Sequence, residues 1–136
     1  QFALKEVINL LDKTEVDIGT LVAPFKDFDE MQKDHYVKAE CNFKSNNHNA
    51  RAINFTRIAN KEKIENFYHH IGIYSYKREA LEKFVKFKQT DREKDEKLEQ
   101  LRAIENNMHI EVSLINSAIL GIDTQDDLDN IRKNLK

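Results

Sequence analysis

Apolar residues recur along this chain at two periods, and the switches between them mark out its elements. Leu4, Val7, Ile8 and Leu11 fall at i, i+3, i+4 and i+7, which predicts a helix ending near Lys13 and Thr14 with those residues inward. Ile18 to Ala23 is a short apolar run stopped by Pro24 and reads as a buried strand. Asp27 to Lys33 has room for one or two helical turns. Tyr36 to Phe43 alternates, with Val37, Ala39, Cys41 and Phe43 on one face, and Ala50 to Phe55 is extended again. The polar cluster Lys44 to Asn49 between those runs predicts a β-hairpin. Phe67 to Tyr76 is the most regular strand. Period 2 sends Phe67, His69, Ile71, Ile73 and Ser75 to a mostly apolar core face, and Tyr68, His70, Gly72, Tyr74 and Tyr76 to the other.

Lys77 to Phe87 predicts a helix with Ala80, Leu81, Phe84 and Val85 inward, broken by Gln89 and Thr90. Asp91 to Asn106 predicts one further helix, with Leu98, Leu101 and Ile104 inward, and Ile110 to Ile115 a strand. Thr124 to Asp127 fits a capping box ahead of a last helix with Leu128, Ile131 and Leu135 inward. Strands and helices interleave with no repeat or linker between them. The pattern therefore predicts an α/β unit with a β-hairpin insertion.

Composition adds mainly exclusions. With 136 residues and 40% hydrophobic positions, the chain makes one domain or part of one. Eight Phe and four Tyr argue against a disordered chain. No apolar run approaches about 18 residues, so no transmembrane helix is expected, and no secretory leader is visible. A net charge of -2, from 22 basic and 24 acidic residues, argues against nucleic acid as the main partner. A single Cys excludes an internal disulfide and a four-Cys zinc site, and Cys41 reads as a small buried hydrophobe. Gln1 is not an initiator Met, and no capping residue precedes the first helix. That suggests a chain cut from a longer polypeptide, or one whose beginning is omitted.

Candidate chemistry gathers in three places. His69 and His70 are adjacent on a strand, point apart and cannot chelate one metal together. His70 shares a face with Gly72 and Tyr74. Donors and acceptors around a residue without a side chain suit a polyhydroxylated ligand, although an ordinary exposed aromatic face has the same pattern. The run Asp91 to Lys97 reads as a solvated helix face. Glu99 and Gln100 lie beside the inward Leu98 and Leu101, and periodicity alone also allows them as plain surface residues. Asp123, between a strand-like segment and a capped helix, is either a turn residue or a carboxylate placed where α/β sheets bind ligands and Mg²⁺. With three Gly in the chain there is no Gly-rich phosphate loop.

Longer blocks are more specific. His70-Ile71-Gly72-Ile73-Tyr74-Ser75-Tyr76-Lys77-Arg78-Glu79-Ala80-Leu81 is followed by Glu96-Lys97-Leu98-Glu99-Gln100-Leu101-Arg102, then by Gly121-Ile122-Asp123-Thr124-Gln125-Asp126-Asp127-Leu128. In this order, with Val16 to Leu21 and Phe55-Thr56-Arg57 upstream, the chain resembles the 3-deoxy-manno-octulosonate cytidylyltransferases (CMP-Kdo synthetases) over nearly its whole length. The resemblance implies the C-terminal half of a nucleotide-diphospho-sugar transferase-like, Rossmann-like α/β domain. Its activity would be transfer of CMP from CTP to the sugar acid Kdo, with release of pyrophosphate, for lipopolysaccharide biosynthesis. The resemblance implies sugar contacts for His70, Tyr74, Glu99 and Gln100, a place for Arg57 near the sugar carboxylate, and Asp123 as a ligand of Mg²⁺. It also implies a cytoplasmic homodimer.

The departures from the family pattern are specific. Its Pro-Ala-Arg, Gly-Lys and Gln-Gly-Asp segments, which supply most of the CTP site, are absent here. Ile58-Ala59-Asn60 replaces its Ile-Pro step, and Gln89-Thr90-Asp91 stands where it has Pro residues. The chain is therefore expected to recognise sugar and hold one metal ligand without catalysing alone. The alternative is a non-catalytic remnant, or an assembly module that pairs with a separate N-terminal polypeptide.

Overall fold

The computed structural model describes residues 2–116. Asp123, the capping box at Thr124 and the last helix lie outside the described residues. Among the described residues five strands form one mixed sheet: β1 (Ile18–Ala23), β2 (Lys38–Cys41), β3 (Asn49–Thr56), β4 (Phe67–Tyr76) and β5 (Ile110–Leu114). Their order, β1-β4-β2-β3-β5, closes back onto β1 through a parallel β1–β5 pair, while the other neighbours are antiparallel. The architecture is α/β, as the pattern predicts. The helices are α1 (Phe2–Asn9), α2 (Phe28–Met31), α3 (Arg78–Lys86), α4 (Asp91–Glu96) and α5 (Gln100–Glu105).

The predicted hairpin forms. The amide of Asn47 donates to the carbonyl of Lys44, and Asn46 takes the left-handed φ of 62° that the Asn side chain tolerates. Both faces of β2 are buried. Ala39 and Cys41 enter the larger core with Val37 and Phe43 against it, and burial pushes the Cys41 thiol up to about 12, which leaves it inert. Lys38, on the opposite face, is also fully buried. Its ammonium donates to the carbonyls of Lys33, at 2.8 Å, and Arg57.

Two predicted faces are corrected. Helix α1 docks through Ala3 and Val7, with Leu10 beyond it, whereas Leu4 and Ile8 are 48% and 57% exposed. The docked stripe is set by Gly19 on β1. A Cβ there would lie 2.8 Å from the carbonyl oxygen of Val7 and 2.5 Å from Ser75 Oγ, so the missing side chain admits the helix backbone itself. On α3, Ala80 and Phe84 are buried, but Leu81 and Val85 are exposed. One i, i+4 pair is enough to seat that helix.

The long helix expected over Asp91 to Asn106 is broken in two. Thr90 caps α4 in a capping box with Glu93, and Lys97 ends it at φ 56°, ψ 48°. The amide of Leu98 then donates back to the Glu93 carbonyl, which closes the helix end. Helix α5 starts after that turn and buries Gln100, Leu101 and Ala103. The junction is tied by Glu93 and Arg102. Arg102 Nε donates to Glu93 Oε1 at 2.9 Å and Nη2 to Oε2 at 2.5 Å, with the guanidinium over the Phe84 ring. The Arg of the Glu-Gln-Leu-Arg block thus holds the two helices together.

Candidate functional site

Strand β4 carries a register shift against β1: Thr20 faces Tyr74, but Leu21 faces Ile71. The slack residues are Gly72 and Ile73, a bulge of the kind that re-aims side chains beside binding sites. Thr20 serves this bulge from β1. Its hydroxyl lies 2.8 Å from the carbonyl oxygen of Ile73, 3.2 Å from that of Ile71 and 2.9 Å from His70 Nε2. A hydroxyl has one proton. Donation to Ile73 leaves its oxygen to accept from His70 Nε2–H, so this network assigns the neutral ring an unprotonated Nδ1.

His70 is buried and packs against Phe55 and Tyr74, with ring centroids 5.1 and 5.4 Å away. Loss of hydration, and to a lesser degree the neighbouring His69, pushes its pKa down from 6.5 to about 3. Between those values the unfolded chain takes a proton that the folded protein refuses. Stability is therefore full above pH 6.5 and falls as pH falls, by up to about 1.4 kcal/mol per unit. Urea denaturation across this range should show that slope. His70→Gln, which cannot protonate, should flatten it.

The opposite face of β4 does different work. His69 stacks on Phe25 and meets Tyr36 edge-on, Ser75 Oγ donates to the Val7 carbonyl at 2.5 Å, and Ile71 joins Ala3, Val7 and Leu21 in the smaller core. The period-2 split of this strand holds despite the bulge.

A cavity of about 330 Å³ opens where the even face of β4 meets the α4–α5 junction. It brings together His70, Tyr74, Glu99 and Gln100 of the residues singled out from sequence, with Gly72 and Tyr76 between them. Burial raises the phenols of Tyr74 and Tyr76 above the ordinary tyrosine value, and the Glu99 carboxylate adds to the effect, so both stay protonated donors. Gly72 is exposed, and a Cβ built there meets nothing within 4 Å. Its missing side chain leaves open space rather than admitting a close backbone approach. The volume suits a ligand of sugar size, with aromatic walls and a few polar groups to orient it.

Arg57 is not among the lining residues. Its Nε donates to the Glu96 carbonyl at 2.8 Å and its two Nη atoms to those of Lys97 and Asp34 at 3.3 and 3.4 Å, so it caps the end of α4. The carbonyl of Arg57 is itself held by the buried Lys38. Among the described residues no group of three or more His, Cys, Asp or Glu could hold a metal. Sequence reasoning missed Thr20, Lys38 and Lys97. The Thr90-x-x-Glu93 spacing was a readable signal for the helix start. Nothing in the charge run marked its stop at Lys97.

The α/β sheet thus carries a polar, aromatic-walled cavity beside a split helix. The chain belongs to the cytidylyltransferase family, whose profile matches residues 2–110. It is 44% identical to the 3-deoxy-manno-octulosonate cytidylyltransferase of Bartonella bacilliformis over 131 residues, which is 96% of this chain and 54% of that protein. The protein of the same name from Paramagnetospirillum magneticum is 38% identical, with 98% and 54% covered. A solved structure of CMP:2-keto-3-deoxy-manno-octonic acid synthetase in complex with CTP superposes with a TM-score of 0.78 at 23% identity, over 96% of this chain and 54% of that one. It shares the fold. The chain spans about half the length of the curated relatives it matches.

Proposed function

We propose that this chain forms the sugar-acid-binding part of an enzyme that transfers CMP from CTP to 3-deoxy-manno-octulosonate. The observation that carries this reading is the convergence of His70, Tyr74, Glu99 and Gln100, from two distant segments, on one cavity around Gly72. The names of the relatives supply the substrate class. In the reaction a sugar hydroxyl attacks the α-phosphorus of CTP and pyrophosphate leaves. The part of this chain is positioning: aromatic walls take the sugar ring, and neutral His70, the Gln100 amide and the Glu99 carboxylate hold its hydroxyls. Fixing the attacking oxygen in this way removes entropy from the barrier.

No segment of this sequence has the glycine-rich pattern that cradles a triphosphate, so CTP binding is assigned to the part of the relatives that this chain does not span. Mg²⁺ with Asp123 as a ligand, a homodimer and a cytoplasmic location belong to the same proposal, supported by the family likeness. The test is a chimera in which this chain replaces the matching segment of the Bartonella bacilliformis protein. The folded chimera should form CMP-Kdo from CTP and Kdo, while the chain alone should release no pyrophosphate. A chimera with native-like circular dichroism but no turnover would favour the non-catalytic remnant.

A further inference from the structure

Among the described residues, the cavity lining has one residue that carries a cation, Lys97, and one that carries an anion, Glu99. Neither His70 nor Arg57 adds positive charge to it. Burial keeps the His70 ring neutral, and backbone carbonyls of Glu96, Lys97 and Asp34 take the Arg57 guanidinium. Lys97 differs from both. It is exposed at the rim, and among the described residues its ammonium makes no ion pair. Its backbone is left-handed, φ 56°, at the residue that ends α4. Gly or Asn would occupy such a position at lower steric cost, so the lysine stands there against local preference. Arg57 donates to the carbonyl of Lys97, which fixes the peptide that carries it.

A sugar acid brings one negative charge. Among the described residues, without Lys97 the lining would offer it only the like charge of Glu99. Resting on the reading proposed above, we infer that Lys97 is the specificity residue for the acid: its ammonium pairs with the substrate carboxylate. Glu99, Gln100 and His70 are left to the hydroxyls. The role that the family resemblance implied for Arg57 falls to the neighbouring side chain whose backbone Arg57 holds.

The test is calorimetric titration of the full chain with Kdo and with its uncharged methyl ester, for the wild type, Lys97→Asn and Lys97→Arg. Asn suits the left-handed backbone, so thermal melting should show no loss of fold. Lys97→Asn should weaken the acid by roughly tenfold or more and leave the ester unchanged, while Lys97→Arg should keep most of the acid's affinity. Unchanged acid affinity in Lys97→Asn, or equal losses for acid and ester, would overturn the role of Lys97 and leave the sugar site standing. A wild-type chain that binds neither ligand would overturn the sugar site as well.

Discussion

Arg102→Met should destabilise the protein by about 3 kcal/mol at neutral pH, the low end of the cost of breaking a buried ion pair. The side chain of Glu93 is 5% exposed and that of Arg102 is 15% exposed, so the guanidinium is the main compensation for a carboxylate taken out of water. The amide of Thr90, 3.3 Å from Glu93 Oε1, would remain as a weaker partner. Methionine keeps an unbranched stem against Phe84, so the loss comes chiefly from the charge. The pH dependence identifies the cause. The Arg102 hydrogen bond holds the Glu93 carboxyl below its usual 4.5, against an opposing effect of burial. In the wild type that contribution is present above pH 4.5 and is lost as pH falls through the lower folded value. The penalty of Arg102→Met should therefore shrink in acid, where the orphaned Glu93 can protonate. Denaturant melts at neutral and acidic pH measure this. The double change Glu93→Gln with Arg102→Met should recover part of the loss, and a penalty independent of pH would assign it to packing instead.

Gly72→Leu should separate folding from ligand binding most widely. Gly72 sits in a strand without a positive φ, and the space beyond its Cα is empty. A Cβ there meets no protein atom within 4 Å, and replacing Gly in a strand removes an entropic cost, so the melting temperature should hold or rise. The same side chain would project into the cavity that His70, Tyr74, Glu99 and Gln100 line. Displacing a bound sugar from those groups should cost about a hundredfold in Kdo affinity, read directly in the chain and as a higher Kdo KM in the chimera. Gly72→Ala should fall between. If Gly72→Leu folds and binds Kdo like the wild type, the cavity is not the sugar site.

Much of this protein was legible in one dimension because short-range periodicity is written in the sequence. Alternation around an Asn-rich turn fixed the hairpin. The period of 2 in Phe67 to Tyr76 separated His70 from His69, and the faces stayed apart through the bulge because it inserts two residues, Gly72 and Ile73, which keeps the alternation in step. The two blocks around Tyr74 and Gln100 named the family before any geometry was known. Periodicity failed where the outcome depended on what another segment presented. Leu4 and Ala3 are both plausible inward residues. Gly19, from a distant strand, selected Ala3 by letting the helix backbone come close. The helix through Asp91 to Asn106 looked continuous because Lys97 is a good helix former. Its left-handed turn exists because a neighbouring guanidinium holds the carbonyls of Glu96 and Lys97 and because Glu93 pairs with Arg102 across the break. Residue types therefore determined which side chains carry chemistry and which strand face they share. Tertiary structure alone decided that Arg57 serves backbone carbonyls while Lys97 reaches the cavity. A charge is committed by whichever partner lies within hydrogen-bond reach, and that distance is set by the packing of segments about 40 residues apart.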